Sequence, residues 1–288
     1  MKMMIAQKTD VGLERKDNQD DMGWFSFPVG EVFIVADGMG GEAGGREAAR
    51  LAISTIKQCF EKGGDSVPDL LKSSITLANR RIHEKGTSGD LQYHKMGTTV
   101  VVLVVSHNQA YMAHVGDSRI YLYRNSKLKP MTKDHSRIQQ MVDDGIISLA
   151  EAEDHPDANI IYRALGAKPE VDPEVRREPF SVLPDDLFLL CTDGLSGLVG
   201  DFEISQIFRR GGSAEVLCNN LVSAALNQGG YDNVTVQVVR LGNLQAPLAK
   251  PELEVKPTVT TVNIKSVASI SFFVILAALL GAGVWWYF

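Results

Sequence analysis

One recurrence constrains this chain more than any other feature: apolar runs that meet an aspartate beside a glycine at one tip. VFIVADGMGG (32–41) ends on Asp37, AYMAHVGDSR (110–119) on Asp117 and LFLLCTDGLSG (187–197) on Asp193; in GGYDNVTVQVV (229–239) Asp232 comes just before the run. A single Asp-Gly pair is an ordinary hairpin turn. Four together predict a sheet whose strand ends gather carboxylates, and carboxylates held that close repel strongly. No lysine or arginine is placed within these motifs to neutralise all four, whereas divalent cations bound by oxygen do so directly. An all-oxygen donor set selects Mg²⁺ or Mn²⁺ over zinc or copper, which favour His or Cys. A two-metal site activates water and clamps a phosphoryl group from both sides, so the pattern points to phosphoester hydrolysis.

The remaining patterning supplies the frame. Strands are predicted over Met3–Lys8, Met22–Phe27, Val32–Ala36, Thr98–Val105, Ala110–Val115, Ile120–Tyr123, Leu187–Cys191 and Val234–Val239. Apolar residues at i, i+3, i+4 predict helices over Gly45–Lys62, Asp69–Lys85, Glu203–Arg209 and Glu215–Leu226. Strands come in runs and helices in pairs, which favours an α+β architecture of antiparallel sheets faced by helices over a doubly wound parallel sheet. The polar stretch Asp134–Asn159, with helical pieces at Ile138–Asp143 and Leu149–Glu153, reads as an excursion over the surface.

Several other classes are excluded. A net charge of −6 gives no basic stripe for nucleic acid. Three cysteines without CxxC spacing indicate neither a disulfide framework nor a thiolate zinc site, and fit a reducing cytosol. Gly38, Gly40 and Ala43 satisfy a dinucleotide fingerprint, but Asp37 stands where a pyrophosphate would lie and no second parallel strand carries a ribose acid. No cysteine is followed by arginine six residues later, and no GxSxG elbow or Walker GK[ST] is present.

The chain divides into a domain over residues 1–242, a Pro-containing linker over 243–265 and an apolar segment over 266–288. From Val267 to Phe288 no residue is charged, and as a helix this stretch would reach roughly 33 Å, enough to cross a bilayer. Trp285, Trp286 and Tyr287 suit an interface. Lys250, Lys256 and Lys265 precede the span and no Lys or Arg follows it, which keeps the large domain cytoplasmic. The expectation is a single-pass transmembrane helix acting as a C-terminal anchor in the cell membrane.

Eight motifs in order carry a resemblance: RKDNQD, VADGMGG, MGTTVVVL, AHVGDSRIYL, TKDHS, IIYRALG, LLCTDGLS and DNVTV. Over residues 2–241 the sequence resembles the type 2C metal-dependent protein serine/threonine phosphatases in their bacterial form. The resemblance implies a four-layer α-β-β-α sandwich and hydrolysis of phosphoserine and phosphothreonine by a metal-bridging hydroxide, without a phosphoenzyme. It implies that Asp37 bridges two Mn²⁺ or Mg²⁺ ions, Gly38 lends its carbonyl, and Asp193 and Asp232 complete the first metal's shell. Asp117, with Asp193, matches the positions of a third metal, Arg15 the phosphate-binding position, and 134–159 a flap beside the active site.

Two positions depart from the family pattern. Gln19 stands where members commonly carry Glu; its amide oxygen can still ligate a metal but adds no charge. Met39 replaces the histidine of animal members, so protonation of the leaving alkoxide would fall to a metal-bound water. Of the histidines, His114 reads as a core or supporting residue, and His135 of the DHS motif is given no chemistry. The implied partners are phosphoproteins, a cognate serine/threonine kinase and the membrane. The alternative is a catalytically weak phosphoprotein-binding scaffold with the same fold, for which Gln19 is the sequence support.

Overall fold

The VFIVA run is apolar at every position because both of its faces are covered. In the computed structural model, which describes residues 2–64, 66–148, 151–152, 155, 157 and 160–242, this run lies in β3 (Gly30–Ala36). Successive side chains of a strand point to opposite faces. Val32 and Ile34 therefore pack under two helices, α1 (Glu42–Lys62) and α2 (Val67–Gly86), with Ile53, Ile56, Leu71 and Ile75. Phe33 and Val35 turn the other way and meet Phe188, Leu190 and Val239 of a second sheet.

That second sheet repeats the arrangement. In β12 (Leu187–Cys191) Phe188 and Leu190 face inward, while Leu187 and Leu189 lie against Phe208, Leu217 and Leu221 of the helices Asp201–Arg210 and Ala214–Asn227. The outcome is helices, sheet, sheet, helices, with three apolar layers between them. Each fully buried Leu or Phe contributes about 1.5–3 kcal/mol.

The first sheet runs β10 (Glu174–Val175), β7 (Gln109–Val115), β6 (Val100–Ser106), β3 and β2 (Asp21–Phe27), with β11 (Phe180–Ser181) also on β7. The second runs β1 (Met3–Asp10), β13 (Val234–Leu241), β12, β8 (Arg119–Arg124) and β9 (Lys127–Pro130). Every ladder among the described residues is antiparallel. A two-residue ladder pairs β4 (Gly38–Met39) with β5 (Gly97–Thr98), so the glycines after Asp37 enter a hairpin-like clasp rather than a nucleotide-binding turn.

All eight predicted strands are present, the Thr98–Val105 stretch being divided between β5 and β6. Helix α1 begins at Glu42, three residues before the predicted Gly45, and so takes in Gly44 as well as Gly45 despite the poor helix propensity of glycine. At Gly45 smallness is a packing requirement: a Cβ there would stand 2.1 Å from Gln19 Oε1 and 2.8 Å from the Gly38 carbonyl carbon. Within the predicted excursion, helix α3 spans Arg137–Asp143; the predicted piece at 149–153 falls largely outside the described residues. The predicted linker and anchor fall entirely outside them, and among the described residues no helix is long and apolar enough to cross a membrane.

Candidate metal centre

The MGTT motif builds the seat for Asp37. The Asp37 carbonyl accepts the Thr99 N–H at 2.9 Å and the Thr98 hydroxyl at 2.8 Å, and the Asp37 N–H donates to Thr99 Oγ1 at 3.1 Å. The Asp37 backbone is thereby held at both its carbonyl and its N–H. Gly38 is buried against α1, where a Cβ would lie 2.1 Å from the Gly45 carbonyl oxygen. Asp193 opens the four-residue helix α4 (Asp193–Ser196) directly after β12. The next residue, Gly194, admits no side chain because a Cβ would lie 1.9 Å from the Asn233 carbonyl oxygen. Asp232 stands just before β13, and Asp117 follows β7 through Gly116.

These acids share one electrostatic environment. Burial and the charges of Asp193, Asp20 and Asp117 push the Asp37 carboxyl well above the ordinary carboxylate range. Burial, then Asp193 and Asp134, raises Asp117 to about 8. Burial and the Asp232 charge raise Asp193 as well. Asp193 Oδ1 is buried and finds no N–H or hydroxyl donor among the described residues. A buried, orphaned carboxylate oxygen is costly unless something positive binds it.

The structure gathers Asp37, Gly38, Asp117, Asp193 and Asp232, although the chain separates them widely. Arg15 is half-exposed at the rim, where it donates to Asp232 Oδ2 at 2.8 Å. Gln19 sits inside the cluster's wall: its N–H donates to Asn233 Oδ1 at 2.8 Å and its side-chain oxygen faces Gly45.

One member was missed by sequence reasoning. Asp20 lies beside Asp193 and Asp232, accepts the Thr192 hydroxyl at 2.9 Å, and is raised to about 7, chiefly by burial. In sequence it belongs to the run Asp17, Asn18, Gln19, Asp20, Asp21, which reads as solvated charge. The available signal was position: the run immediately precedes β2. Asn233 was missed too. It donates to the Val11 and Asp17 carbonyls at 2.9 Å each, pinning the Arg15-bearing loop to Asp232.

The donor set fits hard dications. It consists of carboxylate, amide and carbonyl oxygens, with an orphaned buried oxygen at its centre and several acids whose charges resist coexistence.

A helix-flanked double sheet with an all-oxygen acid cluster at one end is the layout of a phosphoester hydrolase. The chain belongs to the protein phosphatase 2C family, whose description it matches over residues 14–228. It is 34% identical over 249 residues to protein phosphatase PhpP of Streptococcus pneumoniae, covering 85% of this chain and 100% of that one. The serine/threonine phosphatase of S. agalactiae superposes with a TM-score of 0.78 at 31% identity, covering 83% of this chain and all of that one. The catalytic domain of the serine/threonine phosphatase PstP, in complex with two manganese ions, gives a TM-score of 0.73 at 31% identity, with coverages of 84% and 99%.

Proposed function

We propose that this chain is a metal-dependent serine/threonine phosphatase acting on phosphoproteins, with Asp37, Gly38, Asp193 and Asp232 holding a pair of Mn²⁺ or Mg²⁺ ions. The observation that carries the reading is the buried acid cluster with its orphaned Asp193 oxygen. A bound dication pair lowers the pKa of water and stabilises charge on a transferring phosphoryl group. The chain's own residues do the rest. The Thr98–Thr99 clasp holds the backbone that carries the Asp37 carboxylate. Arg15, on an exposed loop, presents a planar fork suited to a phosphate, and its present bond to Asp232 keeps it within reach of the acids. Asp117 and Asp193 are the pair for a third ion, and Gln19 offers a neutral amide oxygen.

The apolar segment 266–288 supports a further element of the reading. We place the catalytic domain in the cytoplasm on a C-terminal membrane anchor, joined by the Pro-containing linker 243–265. A membrane-bound serine/threonine kinase is the partner such tethering would serve.

Hydrolysis of a phosphothreonine peptide with and without Mn²⁺, in wild type and D193N, tests the assignment. Turnover requires Mn²⁺ and disappears in D193N; undiminished activity in the variant refutes it. Absence of turnover in a wild type that still binds the phosphopeptide favours the scaffold reading that Gln19 motivates.

A further inference from the structure

Two histidines lie just behind the acid cluster, and neither enters the chemistry above. His114 and His135 are both buried and stack with ring centroids 4.6 Å apart. Glu174 completes a group whose potential ligand atoms lie within 4.8 Å of one another. The hydrogen bonds argue against a cation there. His135 Nδ1 accepts the Gly116 N–H at 3.1 Å, so the neutral ring carries its proton on Nε2. That nitrogen faces Glu174 Oε2 at 3.4 Å and the Arg163 guanidinium at 3.3 Å, and offers a metal no lone pair. Burial, with His114 and Arg163 alongside, lowers the ring's pKa to about 3 and keeps it neutral.

The same bonds give His135 another role. Its backbone N–H donates to the Gly116 carbonyl at 3.0 Å while its ring receives the Gly116 N–H, so one residue holds both polar groups of Gly116. Gly116 has φ +104°, and a Cβ there would stand 2.6 Å from Thr99 Cγ2, so this turn is tight and tolerates only glycine. Asp117 is the next residue. On the other side, the His135 carbonyl accepts the Tyr162 N–H at 2.9 Å, and Arg137 N–H donates to the Ile160 carbonyl at 2.8 Å. The excursion that leaves after His135 and returns at 160–162 is thereby closed at its base.

We infer that His135 is a positioning residue: its ring acceptor fixes the Gly116–Asp117 turn so that the Asp117 carboxylate joins Asp193 in holding a hard dication, and it ties that turn to the base of the excursion. The inference rests on the metal-dependent reading above. Arg119, two residues beyond Asp117, is committed elsewhere, to Asp134 and Tyr121.

The test is Mn²⁺ uptake by isothermal titration calorimetry, with the Mn²⁺ concentration for half-maximal peptide hydrolysis as a second reading. H135L removes the acceptor; H135N keeps one near the Nδ1 position. H135L and D117A should each weaken the weakest Mn²⁺ binding step by about tenfold, and for H135L saturating Mn²⁺ should restore kcat to within a few-fold of wild type. The double variant should bind no worse than D117A, because the two act as a unit, and H135N should recover most of the loss. If H135L fails to fold, H135Q, which displaces the acceptor along the ring position, makes the same comparison with H135N. H135L binding Mn²⁺ like wild type, H135N as impaired as H135L, or additive losses in the double variant each overturn the clasp. A wild type that takes up no Mn²⁺ overturns the metal-dependent reading itself.

Discussion

Two groups of buried and half-buried aspartates in this molecule are treated in opposite ways. Asp186 is 1% exposed, takes Arg124 in two hydrogen bonds at 2.7 and 2.6 Å, and accepts the Leu183 N–H at 2.7 Å. Asp134 is likewise gripped by Arg119 through both carboxylate oxygens. At the strand ends, Asp20, Asp37, Asp117 and Asp193 are crowded together with far less compensation, and burial above all, then the charge of a neighbouring acid, raises each of them. Among the described residues Arg15 is paired with Asp232, at the rim. The difference teaches which acids serve the fold and which serve a ligand. A buried charge is tolerated with a hydrogen-bonded partner, and where the chain withholds the partner, a cation from outside takes its place.

The contrast can be broken most severely at Asp37. D37N should lower Mn²⁺-dependent peptide hydrolysis by roughly three orders of magnitude or more, yet raise the stability of the EDTA-treated protein at pH 8. The substitution removes one of the crowded charges, a gain of about 1–2 kcal/mol. A fall in the metal-free melting temperature would contradict the electrostatic account. D186N is the opposite case. It strands the Arg124 guanidinium, and should cost about 2–3 kcal/mol in a denaturant titration while leaving Mn²⁺ half-saturation where it was.

Acidity supplies a gentler probe. Asp20 keeps its proton to about 7 and Asp117 to about 8 in the folded chain, whereas the ordinary aspartate value is 3.8. Between these limits the folded state binds more protons than the unfolded one, so stability falls as pH rises. His135 works in the other direction: its pKa is lowered from 6.5 to about 3, so its contribution is complete above 6.5 and lost on acidification. The informative window is therefore pH 6.5 to 8. Metal-free protein should lose stability across it, by up to about 1.4 kcal/mol per pH unit for each carboxyl involved, and saturating Mn²⁺ should abolish the slope. A flat metal-free profile would count against the crowding.

The smallest effect is expected at Gln19. Q19E adds a carboxylate to the wall of the cluster and should tighten Mn²⁺ uptake by about tenfold, read by calorimetry. Weaker uptake would place residue 19 outside the binding set.

Much of this was legible because burial leaves a mark on composition. A strand covered on both faces is apolar throughout, so Val32–Ala36 and Leu187–Cys191 stand out, and a charge at the end of such a run stands out further. Asp20 carried no such contrast, since it sits among Asp17 and Asp21, and Asp17 is an ordinary surface acid paired with Arg46. The short strands Glu174–Val175 and Phe180–Ser181 were equally invisible, because two residues contain no period and their pairing with β7 comes entirely from the partner. The start of α1 was misplaced for the reverse reason: Gly44 is a poor helix former locally, while a Cβ there would stand 3.2 Å from Met96 Cβ, so packing against Met96 suits a glycine inside the helix.

The sequence by itself determined that four acids would end four covered strands, since hydrophobic pattern and turn chemistry are properties of a few consecutive residues. Only the tertiary structure decided which acids were given a cation. Arg119 stands two places from Asp117 in the chain, yet it turns to Asp134 and Tyr121 and leaves Asp117 to face Asp193. Desolvation and Coulomb energy depend on distances in space, and residues 20, 37, 117, 193 and 232 acquire those distances only when two sheets close against each other.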